Sequence, residues 1–416
     1  MPSIDLKYGR TSIPVEHDGS RFAVLGSDRH KEPLSDAEIG ARLDEPIDSL
    51  PIDDLIRSGD RVLLVVSDAT RQTGAGQIVN LLVRRLIANG SQPADINIIF
   101  ATGIHRRVTN EERIAILSPF IVQRIKTIDH DASDPIKNFR MGETSSGIPV
   151  ELNWTLTEYD HVVLIGGVTF HYFAGFTGGR KLICPGLASA KTIGATHRLA
   201  FDCETMDRRL GVGTGLLDGN AVHEAFVEAA SFAKPSFAVN TIVDDLGRVI
   251  DLYSGDWASS HRRACEVYAE AYTVPIEEKG DVVIASCGGY PLDINLIQAH
   301  KALEAAAAAC RDGGTIILLA ECDDGLGRAD FLDWFDAQDS SALAQKLCEA
   351  YQVNGQTAWS LLKKAERFDI QLVSKLDKEM TLKMRLSRTE PSAVQQMIDN
   401  ASSGYIIPLG AKFRIV

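Results

Sequence analysis

Short, continuously apolar runs alternate with amphipathic segments through the first part of the chain. Four such runs each end in polar residues, at 61–67, 96–100, 125–128 and 161–165. Runs of this length and character are typical of strands buried on both faces of a parallel sheet. Segments with helical spacing follow them, at 77–89, 111–117 and 188–200. The alternation predicts an α/β fold built on a parallel sheet.

A second unit of the same kind begins after residue 275. A strand at 281–285, a Gly-containing loop, a helix at 294–310 and a strand at 315–320 form one βαβ unit. The GxGxxG fingerprint is absent from it, so dinucleotide binding is not expected. With edge strands and loops assigned to 1–57, the pattern predicts an N-terminal α/β domain at 1–274 and a C-terminal α/β domain at 275–416.

Polar residues with catalytic potential follow the predicted strands of the first domain. Five of them come shortly after a strand end, namely Asp68, Arg71, His105, His130 and His171. Because the carboxyl ends of parallel strands meet at one edge of a sheet, ligands bind there in open α/β folds. Each residue alone is most simply a turn or cap residue, whereas all five together favour a binding or catalytic site.

The stretch 165–197 combines closely spaced glycines with His171, Lys181 and His197. Glycine allows the backbone to approach a ligand closely. A nucleoside triphosphate loop needs Gly before its Lys and Ser or Thr after it, and Arg180 and Leu182 stand there instead. The sequence therefore excludes that loop. Two interpretations stay open, a phosphate held by glycine amides and a tight buried turn with a solvated lysine.

Composition narrows the class of partner. The 416-residue chain has a net charge of −13 and no block of basic residues, so nucleic acid is not an expected partner. No apolar run reaches membrane-spanning length, and the N-terminus has no apolar signal core. The seven cysteines are scattered without a CxxC pair, as expected for buried thiols in a reducing cytoplasm.

Five motifs together resemble those of the nickel-dependent lactate racemase family of 2-hydroxyacid racemases and epimerases. They are DATR at 68–71, ATGIHR at 101–106, HYFAGFTGGRK at 171–181, His197, and QAHK at 298–301. The spacing of His171, Lys181 and His197 is the most specific part. The resemblance implies two α/β domains with the active site in the cleft between them.

The same resemblance implies a cofactor, the nickel-pincer nucleotide, a pyridinium-3-thioamide-5-thiocarboxylate mononucleotide that carries nickel. It would be attached covalently at Lys181, with His197 as the protein ligand of nickel. Four residues would lie near the nucleotide, namely Asp68, Thr70, Gly178 and Gly179. Enzymes that synthesise the cofactor would then be partners of this protein.

Catalytic and substrate-binding roles are also implied by the resemblance. His105 and His171 would be paired acid/base residues, and Arg71, Gln298 and Lys301 would bind the carboxylate of a small anionic 2-hydroxyacid. Inversion through a planar 2-keto acid needs a base near each of two substrate orientations, and imidazoles titrate near neutral pH. Arginine binds carboxylates with two parallel hydrogen bonds.

Two residues depart from the pattern of the lactate enzymes. Ala69 stands where they have His, and Ile297 stands where they have Tyr. Smaller side chains at these positions predict a substrate larger than lactate, such as malate, a longer aliphatic hydroxyacid or an aldonate. Arg106 and Arg107 are candidate contacts for the second carboxylate of malate.

Three alternatives remain from the sequence. The protein could be a lactate racemase proper or a non-catalytic protein that binds a small anion or the cofactor. It could also be a metal-dependent hydrolase that uses His105, His130, His171 and His197, although an HExxH pair is absent. The sequence assigns no role to Trp359, His130 or His223.

Overall fold

The computed structural model describes residues 2–26 and 31–416 and confirms the predicted α/β class. The chain forms two compact units. Within the described residues, the larger unit comprises 31–200 and 210–268, and the smaller unit comprises 2–26, 201–209 and 269–416. The units therefore divide the chain differently from the predicted domains, since the N-terminal residues and a short central segment belong with the C-terminal part.

The larger unit is built on a six-stranded sheet. Its strands lie in the order Val249–Gly255, Phe237–Val243, His161–Gly167, Val62–Ser67, Ile96–Ala101 and Lys126–Asp129. All neighbours are parallel except Val249–Gly255, which pairs antiparallel at one edge. In Val62–Ser67 the five apolar side chains are fully buried, as the continuous apolar run predicts.

Helices cover this sheet because their apolar residues recur at helical spacing. In Ala75–Ala88 the buried positions include Ile78, Val79, Leu82 and Leu86, which share one face. The helices of this unit are Asp36–Asp44, Ile52–Leu55, Ala75–Ala88, Asn110–Leu117, Pro119–Arg124, Ala190–Arg198, Ala221–Ser231 and Ser259–Tyr272, of which the last extends four residues into the smaller unit. The unit also contains two antiparallel pairs, Asn138–Glu143 with Pro149–Asn153 and Phe170–His171 with Gly175–Phe176.

The smaller unit contains a second six-stranded sheet in which all neighbours are parallel. Its order is Ser387–Thr389, Asp369–Val373, Cys310–Leu319, Gly280–Ser286, Gly404–Ile407 and Phe22–Val24. The edge strand Phe22–Val24 explains why the N-terminal residues belong to this unit. The antiparallel pair Ser3–Tyr8 and Thr11–Glu16 precedes that strand.

The prediction of one continuous helix at 294–310 is wrong, because the helix is interrupted. Leu296–Ala299 and Ala302–Ala309 are separate helices. Between them the hydrogen bonds tighten to i→i+3, from Lys301 N to Gln298 O at 3.3 Å and from Glu304 N to Lys301 O at 3.3 Å. The other helices here are Ser340–Glu349, Val353–Ala365, Lys378–Lys383 and Val394–Asn400.

The sequence predicts that all seven cysteines are thiols, and the structure agrees for five of them. Cys203 and Cys348 form a disulfide within the smaller unit, so the prediction of thiols is wrong for this pair. The other five are buried thiols. Across residues 2–26 and 31–416, no helix has the length and apolar character that crossing a bilayer requires.

Candidate active site

A hydrogen-bonded His–Asp pair lies at the carboxyl ends of two adjacent strands. Asp68 follows Val62–Ser67, and His105 lies in the turn after Ile96–Ala101. Asp68 Oδ2 lies 2.7 Å from His105 Nδ1, and Oδ1 accepts hydrogen bonds from the Thr70 hydroxyl at 2.6 Å and the Thr70 N–H at 3.1 Å. A carboxylate in this position favours the tautomer with the proton on Nδ1 and the lone pair on Nε2.

The charges of this edge suit an anionic ligand. Burial raises the pKa of Asp68, but the hydrogen bond and charge of His105 and the Thr70 hydroxyl outweigh it, and the pKa lies below its usual value. Burial lowers the pKa of Arg71, and Asp68 opposes that shift. Within the described chain the Arg71 guanidinium forms no ion pair or side-chain hydrogen bond, so its donors are available to a carboxylate.

The hairpin that carries His171 depends on a glycine. Phe170–His171 pairs antiparallel with Gly175–Phe176. Gly175 has φ +75°, and a Cβ there would lie 2.1 Å from the carbonyl oxygen of Leu216. A side chain at this position would therefore force the hairpin away from its support.

Buried hydrogen bonds hold the loop that closes this hairpin. Arg180 Nη2 donates to the carbonyl of Ala174 at 2.7 Å. The Asn220 amide donates to the carbonyl of Phe173 at 2.9 Å, while its oxygen caps the helix Ala221–Ser231. Buried carbonyls satisfied in this way keep the loop in one conformation.

Three of the predicted site residues pack around the ring of Phe173. Its centroid lies 4.4 Å from that of His171, 5.1 Å from that of His197 and 5.4 Å from Lys181 Nζ. Phe226 lies on the other side, 5.3 Å from the His197 ring and 5.4 Å from Lys181 Nζ. Sequence reasoning missed both phenylalanines, although Phe173 stands inside the HYFAG motif.

His197 is held in an orientation that suits a metal ligand. It lies on the helix Ala190–Arg198, which Ser189 caps, and its Nδ1 lies 2.7 Å from the carbonyl oxygen of Ile193. Nδ1–H therefore donates to that carbonyl, and Nε2 carries the lone pair. Burial and the charge of Lys181 lower the pKa of His197 to about 3, so the ring is neutral.

His171 has the opposite hydrogen-bonding preference from His105. Its Nδ1 accepts the backbone N–H of Ala174 at 3.3 Å. In the neutral ring the proton is therefore on Nε2. The two predicted acid/base residues thus differ in the tautomer that their surroundings favour.

Gly178 and Gly179 are required by the backbone itself. Their φ angles are +75° and +48°, and a Cβ on Gly179 would lie 2.6 Å from the ring of His261. The backbone conformation and this close contact are sufficient to explain why glycine is needed at both positions, whether or not a ligand is bound. Their contact with a cofactor stays a prediction.

Gln298 and Lys301 belong to the smaller unit. Despite the interruption of the helix, Lys301 Nζ donates to Gln298 Oε1. Trp359, which the sequence left unassigned, is a core residue of the same unit and packs edge-to-face against Phe201 at 4.9 Å.

His130 has a structural role. Its Nε2 lies 2.9 Å from the Ala188 carbonyl oxygen and its Nδ1 lies 3.0 Å from the Asn153 amide nitrogen, so both ring nitrogens are engaged. Burial lowers the pKa of His130 to about 4. No group of three or more His, Cys, Asp or Glu side chains that could hold a metal ion occurs among the described residues. The hydrolase alternative gains no support.

Arg106 and Arg107 do not have the availability expected for a second carboxylate. Arg106 donates two hydrogen bonds to Glu112, at 2.8 and 2.6 Å. Arg107 pairs with Asp131 at 3.1 Å. Both guanidinium groups already pair with acidic residues in exposed ion pairs, and malate as the substrate stays a prediction.

Comparison with known proteins identifies the family. The family model for the lactate racemase N-terminal domain matches residues 8–207, and that for the lactate racemase C-terminal domain matches residues 276–403. The chain belongs to the lactate racemase family. Its enzyme class is accordingly that of the racemases, which are isomerases.

Two relatives named lactate racemase illustrate the similarity. The one from Thermoanaerobacterium thermosaccharolyticum is 32% identical over 83% of this chain and 81% of its own length. The one from Lactiplantibacillus plantarum is 35% identical over 80% of this chain and 77% of its own length.

Solved structures agree with the family assignment. The lactate racemase apoprotein from T. thermosaccharolyticum has a TM-score of 0.87 at 27% identity, with all of both chains covered. A Thermotoga maritima protein has the same fold, with a TM-score of 0.74 at 20% identity over 93% of this chain and 100% of its own.

We expect Asp68→Asn to lower kcat by roughly 100-fold or more while changing KM little, because an amide no longer fixes the His105 tautomer or stabilises an imidazolium. Steady-state racemisation by active enzyme measures this. Asp131→Asn, which removes a carboxylate from the neighbouring strand end, serves as the control and should retain activity. Equal kcat in Asp68→Asn and wild type would remove the pair from the mechanism.

Proposed function

We propose that this protein inverts the C2 centre of a 2-hydroxycarboxylic acid larger than lactate, using a nickel-pincer nucleotide carried by Lys181 and His197. One observation supports it above the rest. The Lys181 amine and the His197 imidazole pack against the same two rings, Phe173 and Phe226. A primary amine for a covalent tether thus lies beside a neutral imidazole that offers Nε2 to a metal.

The residues present fit this cofactor. The neutral imidazole of His197 is a ligand that nickel accepts, and its Nδ1–H is fixed by the Ile193 carbonyl. The faces of Phe173 and Phe226 already lie near a cationic nitrogen, an environment that also suits a pyridinium ring. Held by Lys181 and His197, this cofactor would supply a hydride acceptor for the substrate C2 carbon.

Proton transfer is assigned to the two histidines. His105 accepts the substrate hydroxyl proton at Nε2, and Asp68 stabilises the resulting imidazolium through the 2.7 Å contact at Nδ1. His171 would act as the acid in the same turnover: starting as an imidazolium, it would return a proton from Nε2 to the substrate oxygen and end neutral. In the reverse direction the two histidines exchange these roles, so one gains the proton that the other loses.

We assign the orientation of the substrate to positively charged side chains that bind its carboxylate. Arg71 is partly buried and lacks an ion-pair partner among the described residues, which suits bidentate binding of the C1 carboxylate. Substrate-binding roles for Gln298 and Lys301 rest on the resemblance to the family alone. These groups select a small anion although the whole chain is negative.

The size of the substrate rests on two positions. Ala69 is shorter than the His of the lactate enzymes, which leaves room beside the Asp68–Arg71 turn. Ile297 packs against the core of the smaller unit. The candidates are a longer aliphatic hydroxyacid, an aldonate and malate.

A second candidate is lactate itself as substrate. The observation in its favour is that relatives 32% and 35% identical are named lactate racemase. In that case a neighbouring side chain fills the space beside Ala69.

We expect His105→Ala and His171→Ala each to reduce racemisation to less than about 1% of wild type, because one inversion uses both proton-transfer groups. Polarimetry with either pure enantiomer measures the rate. His161→Gln is a matched control, because this histidine contacts Asp60 and Ser236 at the start of its strand. Near wild-type rates in either alanine variant would refute the two-histidine assignment.

We expect kcat/KM to be higher for 2-hydroxybutyrate than for lactate, since its additional buried methylene stabilises the bound substrate by about 0.8 kcal/mol, and gluconate tests whether the same space accepts a polar chain. Assays of cofactor-loaded enzyme with these acids, lactate and malate decide the order. Ala69→His should shift the preference toward lactate. Highest efficiency with lactate in the wild type would exclude the larger substrate and leave the racemase assignment intact.

A further inference from the structure

A separate pocket of about 200 Å³ lies in the larger unit, beside the helices Ala221–Ser231 and Ser259–Tyr272. Basic and aromatic residues dominate its polar lining, namely Arg180, His223, Trp257, His261 and Arg262. None of the described residues that line it is acidic. It shares no lining residue with the His105–Asp68 pair or with Lys181 and His197.

Arg180 gives this pocket an uncompensated buried charge. Its side chain is 1% exposed, yet no carboxylate lies within ion-pair distance of it in the described chain. Nη2 donates to the Ala174 carbonyl, and Nη1 lies 3.0 Å from His261 Nε2 and 3.5 Å from the carbonyls of Thr177 and Gly178, whereas Nε has no hydrogen-bond partner. Because burying an unpaired cation is costly, an anion bound nearby would stabilise this arrangement.

Two further side chains point to the same kind of ligand. His223 is 8% exposed, and its buried Nδ1 has no hydrogen-bond partner. Arg262 is half exposed and pairs with Asp218, with Nη2–Oδ1 at 2.7 Å and Nη1–Oδ2 at 3.2 Å. The backbone N–H groups at the start of the helix are partly taken by Asp256, so side chains are the principal donors.

We propose that this pocket binds a small oxyanion, such as phosphate, between Arg180, His223 and Arg262. The ligand would supply the counter-charge that Arg180 lacks and an acceptor for His223. Arg180 also holds the carbonyl of Ala174 in the hairpin loop and precedes Lys181 in sequence. Occupancy would therefore stabilise the loop that carries the candidate cofactor residue.

The electrostatics of the neighbouring histidines agree with the geometry. Burial, followed by the positive charges of Arg180 and Arg262, lowers the pKa of His223 to about 3, against the opposing effect of Asp218. Burial and Arg180 also lower the pKa of His261. Both rings are neutral at physiological pH, so the net positive charge resides on the arginines.

Binding is tested by thermal unfolding of the full-length protein in phosphate and in chloride at equal ionic strength, because a ligand specific for the folded state raises Tm saturably. We expect saturable stabilisation by phosphate. Arg262→Gln and Val227→Phe, which remove a donor and fill the pocket, should each raise the apparent Kd about tenfold or more. Using both keeps the test valid if one of them fails to fold.

Arg263→Gln is the matched control, because it removes the same charge one residue away, from a pair with Glu266 at the surface. Its apparent Kd should stay within about twofold of wild type, as expected for a screened surface charge. The absence of saturable stabilisation, or equal effects of Arg262→Gln and Arg263→Gln, would overturn the proposal.

Comparison of cofactor-free and cofactor-loaded protein identifies the source of the oxyanion. Equal phosphate affinity in both forms supports a separate site. Loss of phosphate binding on loading would mean that the cofactor's own phosphate fills the pocket, and would overturn the separate site.

Discussion

Burial of the hairpin loop at 170–182 is the constraint on which the candidate site depends. A loop rich in glycine has a large conformational entropy when unfolded, so its order must come from specific contacts. Those contacts are the Arg180 and Asn220 hydrogen bonds to loop carbonyls and the close approach of Gly175 to the Leu216 carbonyl. Once the loop is fixed, the ring of Phe173 has one position, and His171, Lys181 and His197 pack around it.

Burial and fixed hydrogen bonds together set the charge of each group in the site. The His197 ring is kept neutral beside the Lys181 ammonium, which leaves a lone pair for a metal. Asp68 stays ionised because His105 and Thr70 donate to it. Polar groups fixed in advance of binding need no reorganisation during the reaction. The hydrogen bonds to Nδ1 of His105, His171 and His197 therefore matter as much as the rings themselves.

The parts that could be predicted from sequence are those fixed by local pattern. The apolar run at 61–67 is long enough for one strand and is followed directly by Asp68, so both the strand and the residue at its end were correctly placed. Non-local contacts could not be predicted in the same way. Nothing near Arg107 shows that Asp131, 24 residues away, pairs with it, and nothing near Phe22 shows that its strand pairs with the strand at 404–407. The interruption of the helix predicted at 294–310 was missed because the i→i+3 hydrogen bonds around Lys301 leave no mark on the spacing of apolar residues. Phe226 was missed because an apolar residue at helical spacing has no chemical signature.

The central claim is that Lys181 and His197 hold one nickel-containing group. Mass spectrometry and nickel analysis of protein co-expressed with cofactor-synthesis enzymes test it directly. The account predicts added mass on the peptide containing Lys181, with bound nickel, and neither in Lys181→Ala. In His197→Ala the added mass should remain while nickel is lost. Active wild-type protein with an unmodified Lys181, or undiminished nickel in His197→Ala, would contradict the account.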